Sequence, residues 1–171
     1  DGSARPRMVT ADHGREARRV YRYVRLDPEE RVIAAGAPLL LSVTDDQTKA
    51  SGYARASLQG EAAAPQPLLV LDKMVGGLVK AKNADRVVFT QQRVDEFPDL
   101  WTTTTAFAAP RRLTDANPQQ RDYRWPTSEL ISFVNADGRT LRAILTKPND
   151  FDPAKKYPLM VYIYEELSNG L

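Results

Sequence analysis

The sequence has no cysteine and a single histidine in 171 residues. Without thiols there is no disulfide framework, no thiolate zinc site, no iron–sulfur cluster and no cysteine nucleophile. With one imidazole the usual multi-histidine zinc sites are excluded as well, and His13 is left as the only candidate imidazole base. Long apolar runs are also missing. The longest, Ala34–Leu41, contains Gly36 and Pro38 and falls far short of the roughly 18 residues of a membrane-spanning helix. The first residues, DGSARPRMV, are polar and lack an initiator Met; no signal peptide is expected in them, and residue 1 is not expected to be the start of the gene product. An excess of one charge is absent too. Lys+Arg number 24 against 22 Asp+Glu, and a net charge of +2 gives no ground for a nucleic-acid or membrane partner.

What is present is a chain with 42% hydrophobic and 27% charged residues. Its length suits one ordinary domain of about 100–200 residues, able to bury about 70% of its unfolded surface without staples. The dominant pattern is short period-2 segments broken by turn chemistry, which predicts a mainly β chain. Strands are expected over Arg18–Leu26, Pro38–Thr44, Gly52–Leu58, Pro67–Leu71, Met74–Ala81, Arg86–Gln91 and Leu100–Thr105. In the first of these, Val20, Val24 and Leu26 fall on one face and Tyr21 and Tyr23 on the other. Asp27-Pro28-Glu29-Glu30 and Asp45-Asp46 read as turns. Gly76-Gly77 predicts a bulge or a close backbone approach. Gly60–Gln66 reads as a surface loop, and no amphipathic helix of three turns is expected anywhere. Charged turns lead into apolar segments at Asp27, Asn83 and Asp137, but their irregular spacing is hairpin grammar rather than a repeat.

The polar stretch Asn117–Trp125 reads as a linker or crossover. After it comes the clearest hairpin of the chain, Glu129–Val134 and Thr140–Thr146 around Asn135-Ala136-Asp137-Gly138, where Asp-Gly supplies the positive φ of a tight turn. KPNDFDPAKKYP then leads into Leu159–Tyr164 (LMVYIY), a continuous apolar run of the kind found in fully covered sheets. An LMVYIY strand without neighbours would expose an apolar edge, so pairing with another chain or another part of this one is expected.

The segment SELISFVNADGRTLRAILTKPNDFDPAKKYPLMVYIY resembles the prolyl oligopeptidase family of serine peptidases, in its dipeptidyl-peptidase IV-like and acylaminoacyl-peptidase-like branches. Upstream, KAKNADRVVFTQQRVDEFPDLW and APRRLTDANPQQ resemble the final blades of that family's β-propeller. The resemblance covers about Lys80–Leu171 well and the first 80 residues loosely. It implies antiparallel propeller-blade-like sheets over 1–125, the C-terminal blades of a partial propeller. It implies the first β-hairpin and strand of an α/β-hydrolase catalytic domain over 126–171.

Such an enzyme needs a serine on a strained elbow, a histidine base and an orienting aspartate. The elbow signature G-x-S-x-G is missing; Leu167-Ser168-Asn169-Gly170 is the nearest approach, with Glu166 where the first glycine should be. In the family the triad lies C-terminal to the KYP strand, and His13 lies on the wrong side of the sequence. The chain is therefore expected to be a non-catalytic fragment of a peptidase that, at full length, hydrolyses short peptides by acyl transfer. The resemblance implies no metal or organic cofactor. It implies one catalytic element, Tyr164, as the hydroxyl donor to the oxyanion hole of the full-length parent, although Glu165-Glu166-Leu167 follows it where small residues are usual. The implied partners are a peptide substrate of the parent, and self-association or pairing with the missing catalytic portion. The alternative is an autonomous β-rich binding or scaffold module without catalytic activity.

Three other features invite a functional role and carry a plainer one. Glu165-Glu166 is expected to be solvated. Asp45-Asp46 lacks a third ligand at calcium-loop spacing. Arg18–Arg25 interleaves arginine with Tyr21 and Tyr23, which could stack single-stranded nucleic acid, but an exposed strand face is expected instead.

Overall fold

Val87, Phe89 and Gln91 alternate inward along one strand, and around that strand a computed structural model of the chain, describing residues 5–164, builds its second sheet. The fold is mainly β, with three antiparallel sheets. The first contains β1 (Arg19–Tyr23), β2 (Leu39–Asp45), β3 (Ser51–Ala56) and β4 (Gln66–Leu71) as a sequential meander. The second repeats that plan with β5 (Met74–Lys80), β6 (Val87–Arg93), β7 (Glu96–Thr103) and the short β8 (Arg111–Arg112). A two-stranded sheet, β9 (Thr127–Val134) and β10 (Thr140–Lys147), follows. Among the described residues helical structure is confined to one turn, α1 (His13–Glu16), and a 3-10 turn at Pro118–Asp122. Neither a closed propeller nor a hydrolase domain is present among the described residues.

The two four-stranded sheets share one core of Leu40, Tyr53, Val87, Phe89 and Phe107. Period-2 alternation is its source, because β-branched and aromatic residues on one side of each pleat meet across the gap. Tyr53 stacks on Phe107 with centroids 4.8 Å apart, and Phe89 meets the same ring at 5.9 Å in a tilted geometry. Val24, Leu26, Leu68, Leu69, Val75 and Trp101 pack around them. Burial of the Tyr53 phenol pushes its pKa up to about 12.

Turn chemistry behaves as the residues dictate. Asp27 accepts the Glu30 and Glu29 amides at 3.3 and 2.9 Å, the first on its carbonyl and the second on its side chain. Gly138 has φ 75° in the β9–β10 turn, where Asn135 Oδ1 accepts the Asp137 and Arg139 amides. The bulge expected at Gly76-Gly77 is there: the β5–β6 register shifts between Gly76 and Val79, and Gly77 has φ 62°. Gly52 has a role the sequence did not announce. A Cβ there would stand 1.9 Å from the Leu69 carbonyl, so β3 and β4 approach too closely for any side chain.

Three expectations need correction. Leu159–Tyr164 is not a strand: it pairs with no described strand and stands in solvent, Met160 93% and Ile163 86% exposed. A run that is apolar on both faces needs a neighbour on each side to satisfy its backbone and cover its side chains, and no strand among the described residues pairs with it. The expected strand Leu100–Thr105 starts earlier, at Glu96, and stops at Thr103. Asp85 Oδ1 then accepts the Thr105 amide and hydroxyl at 2.9 and 2.8 Å, which bends the threonine run away from the pleat. Val20 is not on a core face; it is 50% exposed on edge strand β1, whereas Val24 and Leu26 do reach the core.

Phe89 has no exposed surface and lies at the centre of the shared core. Phe89→Ala is expected to cost about 3–5 kcal/mol, and truncation of the half-exposed Phe133 less than about 1 kcal/mol. Urea denaturation followed by circular dichroism checks both values.

Candidate functional site

Strand register places four polar and aromatic side chains on one face of the second sheet. Gln91 stands opposite Asp99, and Trp101 opposite Arg112. Paired and alternate positions share a face, so these four line one wall of a groove. The groove holds about 600 Å³. Its other wall is the crossover, including Asn117, Gln120, Arg121, Tyr123 and Trp125.

Gln120 holds that crossover in place. Its Oε1 accepts the Phe97 amide at 3.0 Å, its Nε2 donates to the Asp95 carbonyl at 2.6 Å, and its own carbonyl accepts the Trp125 indole N–H at 2.8 Å. Asp99 anchors the start of the crossover, accepting the Thr114 hydroxyl at 2.6 Å, the Ala116 amide at 2.9 Å and the Arg112 guanidinium at 2.5 Å. Burial pushes the Asp99 carboxyl up, but these donors outweigh it and hold the group below the ordinary aspartate range. Thr114 also accepts the Leu100 amide, so the LTDANPQ segment is a clamp rather than a loose linker.

A second polar centre joins the hairpin to the first sheet. Asp46, in the β2–β3 turn, pairs with Lys49 at 2.9 Å, Arg18 at 3.0 Å and Arg142 of β10 at 3.6 Å; Arg142 also donates to the Asp46 carbonyl. The Lys49 ammonium, reinforced by the other two cations, holds the Asp46 carboxyl below its usual range. Next to it, burial raises and the Thr48 amide, Arg19 and the Gln47 amide more than offset the Asp45 pKa, leaving it lowered. Asp45 and Asp46 are therefore turn and ion-pair residues, and Arg18 and Arg19, from the arginine–tyrosine stretch, are their partners.

His13 and Tyr164, the two catalytic candidates considered in the sequence, lie apart, in the chain's first helical turn and its exposed C-terminal segment. Tyr164 ends the exposed Leu159–Tyr164 segment and is 60% exposed. His13 lies in α1, 3.5 Å from Glu16. Glu165 and Glu166 lie outside the described residues. The KYP segment before Tyr164 is anchored: the Tyr157 hydroxyl accepts the Asp152 amide at 2.9 Å, and its ring stacks on Phe151 at 5.1 Å. Among the described residues no group of three histidine, cysteine or acidic side chains could hold a metal ion, and no helix is long and apolar enough to cross a membrane. Sequence reading missed Gln91, Asp99, Gln120 and Arg142. The only signal for them was a polar residue interrupting an apolar alternation, as Gln91 does after Val87 and Phe89.

Comparison with known proteins gives short, distant matches. A probable dipeptidyl-aminopeptidase B of Aspergillus clavatus is 30% identical over 82 residues, which is 48% of this chain and 7% of that protein. Dipeptidyl peptidase 8 of Homo sapiens is 36% identical over 66 residues, 39% of this chain and 6% of that protein. Over these segments the chain is a distant homologue of the prolyl-oligopeptidase and dipeptidyl-peptidase proteins. It spans less than a tenth of the length of these curated relatives. No family model matches the chain. Among solved structures, an AtxE2 isopeptidase variant with Astexin3-dC4 bound superposes with a TM-score of 0.51 at 17% identity, covering 87% of this chain and 27% of that one. That likeness is one of fold alone.

Two predictions follow from the ion pairs. A carboxyl held low in the folded state stabilises the fold while ionised; that contribution is complete above the unfolded aspartate value of 3.8 and is lost as pH falls through the lower folded value. The thermal midpoint is thus expected to be flat above about pH 5 and to fall steadily below it, with Asp99→Asn lowering the neutral-pH midpoint and flattening the acid limb. Secondly, the absence of cysteine permits unique spin labels at Asp137→Cys and Glu61→Cys. Their distance distribution, measured by electron double resonance, is expected to broaden in Arg142→Ala if that arginine orients the hairpin.

Proposed function

We propose that the chain is the non-catalytic portion of a serine peptidase that runs from the last blades of a β-propeller, residues 1–125, into the first strands of an α/β-hydrolase domain, residues 126–171. The observation that carries this reading is the order of parts: two four-stranded meanders, a clamped crossover, a hairpin, then an apolar run after KYP. Distant homology to dipeptidyl peptidases and the fold likeness over most of the chain support it. The exposure of Leu159–Tyr164 supports it as well, because such a run is what a parallel hydrolase sheet would cover.

In the whole enzyme the catalytic serine, aspartate and histidine lie beyond Leu171, and the reaction is acyl transfer to the serine followed by hydrolysis of a short peptide. Tyr164 then serves as an oxyanion donor. Its phenol O–H is a fixed donor for the negative charge that develops on the carbonyl oxygen, worth about 3 kcal/mol in the transition state. The rival reading, an autonomous binding module without activity, is favoured by the core that the two sheets already share.

One experiment separates them. The longer gene product, treated with a fluorophosphonate, is expected to be labelled on a serine beyond Leu171, while the 171-residue chain takes no label. Tyr164→Phe in that product is expected to lower kcat by about 100-fold or more with KM little changed. An intact longer product without label, or a gene that stops at Leu171, leaves the binding module as the reading.

A further inference from the structure

We propose that Arg18 of the N-terminal segment and Arg142 of β10 compete for one carboxylate oxygen of Asp46. The grip of Arg18 keeps the β9–β10 hairpin loosely tethered, and its release draws the hairpin in. The inference is independent of the hydrolase reading, since Tyr164 takes no part in it.

The hairpin hangs on little else. No residue of β9 or β10 belongs to the shared core or to the apolar side chains packed on it. Phe133 and Leu141, which face each other across the two strands, are half-exposed. Among the described residues, Arg142 makes the one ion pair and the one side-chain hydrogen bond that reach from the hairpin to the first sheet and its turns. A two-stranded ribbon is marginal without cover, so the orientation of this one follows its tether.

Asp46 offers two carboxylate oxygens to three cations. Oδ1 is taken by the Lys49 ammonium, which sits 2.9 Å away on a side chain only 4% exposed. Oδ2 is left to both arginines. Arg18 Nη2 holds it at 3.0 Å, a hydrogen bond, whereas Arg142 Nη1 stands 3.6 Å from the same atom, too far for one. Arg142 donates to the Asp46 carbonyl instead. Two guanidinium groups at one oxygen repel each other, and each occupies lone-pair space that the other needs. Once Arg18 withdraws, Arg142 engages the carbonyl and Oδ2 together, the two-point contact for which its planar fork is suited.

Arg18 is placed so that its side chain can leave alone. Its backbone has the left-handed φ of 52°, which a residue with a side chain adopts only at a cost, and its carbonyl accepts the Asp46 amide at 2.8 Å. That bond fixes the main chain beside Asp46 whatever the guanidinium does. The side chain itself is 51% exposed. The N-terminal segment and the hairpin are thereby coupled with opposite sign through a single oxygen, as a reciprocal linkage requires.

Spin labels at Asp137→Cys and Glu61→Cys read the hairpin against the first sheet, and circular dichroism checks that each labelled variant is folded. Arg18→Gln removes the competing charge and leaves the backbone bond in place. It is expected to narrow the distance distribution, with the population outside the main peak falling about twofold, while Arg142→Ala broadens it. The double variant Arg18→Gln with Arg142→Ala is expected to be as broad as Arg142→Ala alone, because Arg18 acts only through Arg142. Arg18→Lys keeps a cation at Oδ2 and is expected to match the parent. The proposal is overturned by an unchanged or broader distribution in Arg18→Gln, by an unchanged one in Arg142→Ala, or by a double variant narrower than Arg142→Ala. A narrowing in Arg18→Lys equal to that in Arg18→Gln overturns it as well.

Discussion

The contact on which the structure depends is Phe107, whose ring is wedged between Tyr53 of the first sheet and Phe89 of the second. A four-stranded meander buries only one face well, and neither sheet is independently stable without cover. Phe107 supplies that cover from a loop rather than a strand, in the left-handed region at φ 56°. Such a backbone costs on the order of 1 kcal/mol or more and persists because its surroundings hold it. Here the Phe107 amide donates to the Thr104 carbonyl, the Thr103 hydroxyl donates to the Ala108 carbonyl at 2.7 Å, and Asp85 grips Thr105 from the β5–β6 side. The apolar core and the polar clamp around it are one arrangement, since the strained loop that delivers the ring is stabilised by its threonines.

Around that core, aspartates do the joining. Asp99 ties the crossover to β7, and Asp46 ties the β9–β10 hairpin to the first sheet through Arg142. Each collects several donors, which holds its carboxyl below the ordinary aspartate range and makes both junctions sensitive to low pH rather than to small changes near neutrality. Such contacts contribute modestly to stability where solvent reaches them. Their directional hydrogen bonds set the angle at which one piece meets the next, which apolar packing alone does less well.

The same division decides what the groove can be. Its walls come from residues separated by about thirty positions, held at a fixed spacing by Gln120 and Asp99. That spacing brings the inner face of β7 and the aromatic side chains of the crossover to one groove. The apolar Leu159–Tyr164 segment differs in kind: it is exposed along its whole length.

Alternation and turn residues made most strands legible in the sequence, because period-2 burial and the positive φ of glycine are local properties. Thus β2, β6, the β9–β10 hairpin and the Gly76-Gly77 bulge could be read directly, while the ends of β7 could not, since Asp85 reaches Thr105 from twenty residues away. Motif order likewise pointed to the distant peptidase-family homology that the matched segments show. The groove was illegible for a physical reason: Gln91, Asp99, Trp101 and Trp125 acquire meaning only once strand register and the Gln120 clamp place them together. The sequence by itself determined β character, the turns, and the absence of thiol and multi-histidine chemistry, all of which follow from residue type and spacing. Tertiary structure alone decided which sheet faces meet over Phe107, which aspartates become junctions, and that LMVYIY pairs with no strand among the described residues, because each depends on contacts between residues far apart in the chain.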